Sequence, residues 1–178
     1  MTITTKSIKN APNKGKIKNL YLTAFPKEER LPWWLMRYWP NLKRSQLTAY
    51  YDGETFCGFT FTATEGDVLY VMFFAVDSAV RGQGYGSGIL NHMRQTNPGK
   101  TILLNVELLD ERAPNYDERV RRMAFYEKNG FCDTDYNIRE VGGVFRVLSS
   151  TGKMDKNAYQ KVFLKLSYGL WKPEITKS

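Results

Sequence analysis

The sequence predicts a mixed α/β fold, a central sheet flanked by helices. Three observations point to it. Two runs, residues 68–76 (VLYVMFFAV) and 101–106 (TILLNV), are apolar almost without a break, as strands covered on both faces are. Stretches with apolar residues at helical spacing lie between and around them. Turn signals at Asp52-Gly53 and at Glu65-Gly66-Asp67 cut the region before the first run into short strands.

The elements follow in order. Residues 2–8 alternate weakly and read as an edge strand. Residues 16–25 place Ile17, Leu20, Tyr21 and Ala24 on one helical face, and Pro26 stops that helix. Residues 27–38 read as a second helix, which Pro32 bends or splits. Residues 46–51 alternate like a strand. Residues 55–64, with Phe56, Gly58, Phe59 and Phe61, return from the hairpin turn. The apolar run 68–76 comes next, then a glycine-rich turn and a helix over 86–95 that Asn97-Pro98-Gly99 ends. A buried strand at 101–106, a polar loop at 110–115 and a helix over 116–129 follow, with Gly130 at its C′ position. Phe131 enters another strand. Gly142-Gly143 turns into a last one at 144–148, and residues 156–168 form an amphipathic helix carrying Tyr159, Val162, Phe163 and Leu166. The order is β-α-α-β-β-β-α-β-α-β-β-α.

A length of 178 residues suits one domain, and 42% hydrophobic with 25% charged residues is ordinary globular composition. No apolar run approaches the ~20 residues of a membrane helix. The richest stretch, 31–40, is broken by two prolines and Arg37. The first ten residues lack the apolar segment of a secretory signal. A cytoplasmic domain with no membrane partner is the expectation. Cys57 and Cys132 cannot build a disulfide framework, and with one histidine they make a poor zinc site. No metal is therefore expected, and both cysteines are expected to be buried. His92 lies opposite the Ile89/Met93 stripe and is not expected to act in catalysis. The net charge of +8 fits a polyanionic partner, either nucleic acid or a phosphate-bearing cofactor. The densest basic cluster, Arg119, Arg121 and Arg122, is too small for a nucleic-acid tail.

The most informative residues are Arg81-Gly82-Gln83-Gly84-Tyr85-Gly86-Ser87-Gly88, between a buried strand and a helix. Glycines there let the backbone approach a ligand and turn with positive φ. The amides that open the helix point at whatever fills the turn, and its dipole favours an anion such as a diphosphate. A dinucleotide fingerprint needs glycines at i, i+2 and i+5, and that fails at Ser87 or at Ile89. A P-loop needs a lysine that is not there. The pattern that fits is Arg/Gln-x-x-Gly-x-Gly, on Arg81, Gly84 and Gly86. It resembles the acetyl-CoA pyrophosphate loop of the GCN5-related N-acetyltransferase (GNAT) family. A second motif, Phe125-Tyr126-Glu127-Lys128-Asn129-Gly130-Phe131, resembles that family's helix end, aromatic-Tyr-x-x-x-Gly-Phe. The resemblance runs from about residue 16 to residue 148 and includes the family's order of elements. It departs at Arg119, where many members carry an asparagine seven residues before the tyrosine. Asn115 lies further back; either it takes over that cofactor contact or the contact is missing.

The resemblance implies a single GNAT acyl-CoA N-acyltransferase domain over residues 1–178. Its core covers about 16–148. The C-terminal helix at about 156–168 is not a core feature of the family; it completes the core, as is expected first, or covers the sheet or forms a dimer surface. It implies an acetyltransferase that uses acetyl-CoA, without metal, on a primary amine of a small molecule or peptide, by direct attack in a ternary complex. Arg81, Gly82, Gln83, Gly84, Tyr85, Gly86 and Ser87 would hold the pyrophosphate. Backbone groups of Phe74, Ala75 and Val76 would meet the pantetheine and polarise the thioester. Asn115 and Arg122 would add cofactor contacts. Tyr126 would return the proton to the leaving thiolate, and Glu107, at a strand end, is the first choice of base. Glu28, Glu29 and Trp33 fall on the acceptor side. Trp33, Trp34, Tyr38 and Trp39 either wall a substrate or, more simply, pack the two helices. A homodimer stays open, since dimers are common in the family. Two other classes remain, a non-catalytic acyl-CoA-binding module on the same fold and a basic nucleic-acid-binding protein.

Overall fold

The computed structural model describes residues 1–38, 45–140, 143–167 and 169–178. The expectations at Trp39, Gly142 and Tyr168 lie outside the described residues. The fold is mixed α/β, with an eight-stranded sheet of order β1-β2-β3-β4-β5-β7-β6-β8, numbered along the chain, and flanking helices. The chain divides into two compact units, one of residues 1–63 and 71–98 and one of residues 64–70 and 99–178.

The first unit opens with β1 (Ile3–Ser7), the expected edge strand, antiparallel to β2 (Ser45–Asp52). β2 in turn pairs antiparallel with β3 (Thr55–Glu65), with a bulge at Tyr50/Tyr51. The unit also holds the last six residues of β4 (Val68–Val76). Helix α1 (Lys14–Ala24) buries Ile17, Leu20 and Tyr21. Tyr21 is the hub of an aromatic cluster, with ring centroids 5.2 Å from Phe73, 5.8 Å from Phe25 and 6.0 Å from Trp33. Its hydroxyl donates to the Leu31 carbonyl at 2.9 Å, so the polar tip is satisfied while the ring is buried. Burying each such ring stabilises the fold by about 1.5–3 kcal/mol.

Pro32 splits the expected second helix. Lys27–Glu29 form one turn of 3-10 helix, and α2 covers Trp33–Tyr38. Proline has no N–H to continue the first turn. Its carbonyl starts the second helix by accepting from Leu35 and Met36 at 2.9 and 3.1 Å. Helix α3 (Tyr85–Thr96) buries Ile89, Leu90 and Met93. His92 is half-buried on it, its ring edge-on to Tyr50 at 6.0 Å.

The second unit builds β5 (Thr101–Glu107), α4 (Tyr116–Lys128), β6 (Cys132–Glu140), β7 (Gly143–Ser149), α5 (Lys156–Leu166) and β8 (Glu174–Lys177). β7 is antiparallel to both β5 and β6. β8 was not expected. It covers the outer edge of β6, pairing Ile138 with Ile175. Asp155 caps α5, accepting from the Asn157 and Ala158 amides at 2.9 and 3.0 Å. All four apolar residues expected on that helix are buried, so it completes the core of this unit. Tyr159 and Phe163 pack on Tyr70 with centroids 5.3 and 5.0 Å away. A polar chain runs through this aromatic core. The Tyr159 hydroxyl donates to Asn105 Oδ1 at 2.8 Å, and the Asn105 amide donates to the Tyr70 hydroxyl at 2.9 Å and to Glu140. Burial pushes both phenols well above their ordinary pKa.

One cysteine expectation is corrected. Cys57 is buried and its thiol pKa is raised by burial, whereas Cys132 is exposed. Phe131 is buried beside it, and successive residues of an extended chain face opposite ways.

Candidate functional site

In the first unit, β4 ends at Val76, and the Asp77 amide donates to the Cys57 carbonyl at 2.9 Å. Close approach here depends on Gly58. A Cβ at that position would collide with the Ala75 carbonyl oxygen and crowd Val76 Cα at 3.1 Å. Ala75 is buried, with Phe74 and Val76 half-buried around it. Asp77 then caps a 3-10 turn at Ser78–Val80, accepting from the Ala79 amide at 3.0 Å.

The glycine turn follows. Gly82 and Gly84 have φ of +77° and +85°, a region costly for residues with a Cβ. A Cβ at either would have nothing within 4 Å, so the outer side of the turn is open. Gly84 caps α3, whose first helical bond runs from the Gly88 amide to the Gly84 carbonyl at 3.0 Å. The amides of Tyr85, Gly86 and Ser87 therefore precede any helical acceptor. They sit at the positive end of a 12-residue helix. Gln83 is exposed at the crest. The Arg81 side chain folds back, its Nε donating to the Val76 carbonyl at 3.3 Å.

One tie of this turn was not legible in the sequence. The Tyr85 hydroxyl donates to Asp52 Oδ2 at 3.1 Å, and the Thr2 amide donates to Asp52 Oδ1 at 3.0 Å. These two donors, Thr2 first, hold the Asp52 carboxyl below its ordinary pKa. The same bond to Asp52 raises the phenol of Tyr85. The residues expected on the acceptor side lie in the 3-10 turn and at the start of α2. Glu28 is exposed and Glu29 half-buried in the 3-10 turn, while Trp33 leans on Tyr21.

In the second unit, Tyr126 is 8% exposed, its ring between Phe125 and Phe131 with centroids 5.2 and 5.8 Å away. Burial pushes its phenol up to about 12, against a smaller downward pull from Arg122 one helical turn earlier. At neutral pH this hydroxyl keeps its proton, which is the state an acid must start from. Glu107, at the end of β5, is not the unengaged carboxylate that a base requires. Oε1 accepts from Asn115 Nδ2 at 3.1 Å and lies 3.8 Å from Arg119 Nε. Oε2 is paired with the Arg122 guanidinium. Asn115 Oδ1 accepts from Arg119 Nε at 2.9 Å, and Arg119 Nη1 donates to the Leu108 carbonyl at 2.7 Å. Asn115, Arg119 and Arg122 thus converge on one carboxylate.

Among the described residues, no group of three His, Cys, Asp or Glu side chains is placed to hold a metal ion, and no helix is long and apolar enough to cross a membrane.

The GNAT acetyltransferase domain model matches residues 43–133, just over half of the chain. No curated protein matches the chain significantly. Among solved structures, a GNAT-family protein from Bacteroides thetaiotaomicron superposes with a TM-score of 0.72 at 23% identity, covering 96% of this chain and 100% of its own. An aminoglycoside 6'-N-acetyltransferase complexed with coenzyme A gives 0.65 at 17% identity, covering 87% and 99%. The ribosomal-protein-S18-alanine N-acetyltransferase from Escherichia coli gives 0.56 at 19% identity, covering 83% and 92%. These likenesses place the fold. The domain match spans the glycine turn, Asn115 and Tyr126, and on that match the chain belongs to the GNAT acetyltransferase family.

Proposed function

We propose that this protein moves an acetyl group from acetyl-CoA to a primary amine of a small molecule or peptide, by direct attack in a ternary complex. The observation that carries the reading is the open turn at Gly82 and Gly84, with three helix-opening amides behind it. Such a turn binds the pyrophosphate through main-chain N–H groups, with Arg81, Gln83, Tyr85 and Ser87 around it. Backbone amides of residues 74–76 polarise the thioester carbonyl and stabilise the tetrahedral oxyanion. Tyr126 protonates the departing thiolate. An amine of pKa about 10 reaches the site mostly as ammonium, so its proton must leave before attack. With both oxygens of Glu107 engaged, water takes that proton, or the neutral amine enters directly. Glu28, Glu29 and Trp33 are assigned to the acceptor side. An amine acceptor is in keeping with the names of two structures of like fold, an aminoglycoside enzyme and a protein-alanine enzyme. The enzyme is one domain over residues 1–178. It acts in the cytoplasm, in keeping with its free cysteines.

Calorimetric titration of acetyl-CoA tests the reading. Wild type binds, and Gly84→Glu, which puts a carboxylate into the anion site, loses binding while keeping its melting temperature within a few degrees. No binding by folded wild type sinks the enzyme reading and leaves the nucleic-acid class, recognisable by a steep salt dependence. Binding without turnover on any amine of a broad panel would leave an acyl-CoA-binding module.

A further inference from the structure

We infer that Glu107 is a positioning residue: its carboxylate holds Arg122 on the face of α4 that carries Tyr126, so that a guanidinium stands beside the phenol when it gives up its proton. The inference rests on the proposed role of Tyr126. Four contacts carry it: Glu107 to Arg122, Glu107 to Asn115, Glu107 to Arg119, and Asn115 to Arg119. Residues 122 and 126 are four apart on one helix and so lie on the same face. The 119-to-122 spacing brings the second arginine to the same carboxylate. Arg119 is fixed twice more, by Asn115 and by the Leu108 carbonyl. An arginine on a helix surface otherwise samples many rotamers, and an ion pair with a strand-end carboxylate narrows that choice.

The chemistry explains why the placement matters. In the collapse of the tetrahedral intermediate, the carbon–sulfur bond breaks and its electron pair goes to sulfur. The Tyr126 O–H bond breaks, an S–H bond forms on coenzyme A, and the O–H electron pair stays on the phenolate oxygen. The amide carbonyl re-forms. Water later returns a proton to the phenolate. A thiol ionises near 8.5, well below a phenol that burial pushes up to about 12. Proton delivery is therefore uphill, and a cation beside the phenolate lowers the climb. Arg122 is the charge that pulls this phenol down against burial. Glu107 reaches that arginine from β5.

The test replaces Tyr126 with 3,5-difluorotyrosine, whose phenol ionises where the protein remains folded, and follows its titration by fluorine NMR without ligand. It needs neither acetyl-CoA nor an acceptor, so its failure is separate from failure of the acetyl-transfer reading. Arg122→Gln raises the midpoint by about 1 pH unit, the scale of one nearby opposite charge. Glu107→Gln also raises it, because Arg122 is released. In the Arg122→Gln background, Glu107→Gln no longer raises it. Arg122→Lys, which keeps the charge on a shorter-reaching head group, falls between wild type and Arg122→Gln. A Glu107→Gln midpoint that drops equally in both backgrounds would overturn the proposal, since Glu107 would then act as a bare negative charge. A midpoint that neither substitution moves would overturn it as well.

Discussion

In the glycine turn of the first unit, the groups that a ligand would meet on the proposed reading belong to the main chain: the amides of Tyr85, Gly86 and Ser87, exposed by two glycines with positive φ. In the α4 face of the second unit they belong to side chains. There a buried phenol stands one turn from an arginine that a strand-end carboxylate holds. On that reading the two place charge for a ligand by different means. A backbone site is fixed by dihedral angles and tolerates almost any side chain outside the glycines. A side-chain site is fixed by mutual partners and depends on each of them.

The widest test of that contrast is Tyr126→Phe. Loss of the proton donor should lower kcat by roughly 10²- to 10⁴-fold, followed by release of coenzyme A, with acetyl-CoA affinity unchanged because the ring still packs. A loss below tenfold would mean that solvent supplies the proton and that the second unit is not a chemical site. Gly84→Ala should act on binding instead. Alanine at φ +85° costs about 1–2 kcal/mol, and if the turn relaxes to escape it, acetyl-CoA binding weakens roughly tenfold. An unchanged dissociation constant would show that the positive φ is not what presents the amides.

The two regions also differ in how far they could be read from sequence. Gly82 and Gly84 announce a tight turn because their positive φ favours glycine, and the expected turn is there. The central strands were equally legible, since residues 68–76 and 101–106 carry the continuous apolar runs of covered strands. The spacing of Arg119 and Arg122 told that they share a face, yet not that Glu107 would be their anion. That choice is made by where β5 ends relative to α4, which no local pattern records. Tyr85 and Asp52 are 33 positions apart, and nothing marks either as the other's partner. β8 was missed because EITK is short, polar and exposed on an outer edge, so it has no apolar alternation to detect. The aromatic-tyrosine-glycine helix end was read through the family resemblance, since spacing alone fits a packed tyrosine equally well.

Two smaller effects sharpen the contrast. Tyr159→Phe removes a donor from the Asn105 chain in the core of the second unit. Leaving the Asn105 oxygen unpaired should cost about 1–2 kcal/mol of stability, measured by urea unfolding, with no change in acetyl-CoA binding. If binding changes too, the core network and the ligand features are not separable. The smallest effect is expected for Asp52→Asn. The native carboxyl of Asp52 is held below its ordinary value near 3.9. Its contribution is therefore present above that value and lost as pH falls through the lower native pKa. Wild type should melt slightly higher than the variant at pH 5–7, and the gap should close in acid. A gap that persists at pH 2 would assign it to something other than the charge on Asp52.

The unlike settings of the two cysteines carry a practical consequence. Cys132 is exposed at the start of β6, while Cys57 is buried with a raised thiol pKa. A thiolate-specific reagent in the folded protein should modify one site quickly and the other slowly. The protein thus offers a single attachment point for a dye or spin label without any substitution. In a turnover assay that counts liberated thiol, that same sulfur would appear as a burst of one equivalent per chain, an internal measure of enzyme concentration.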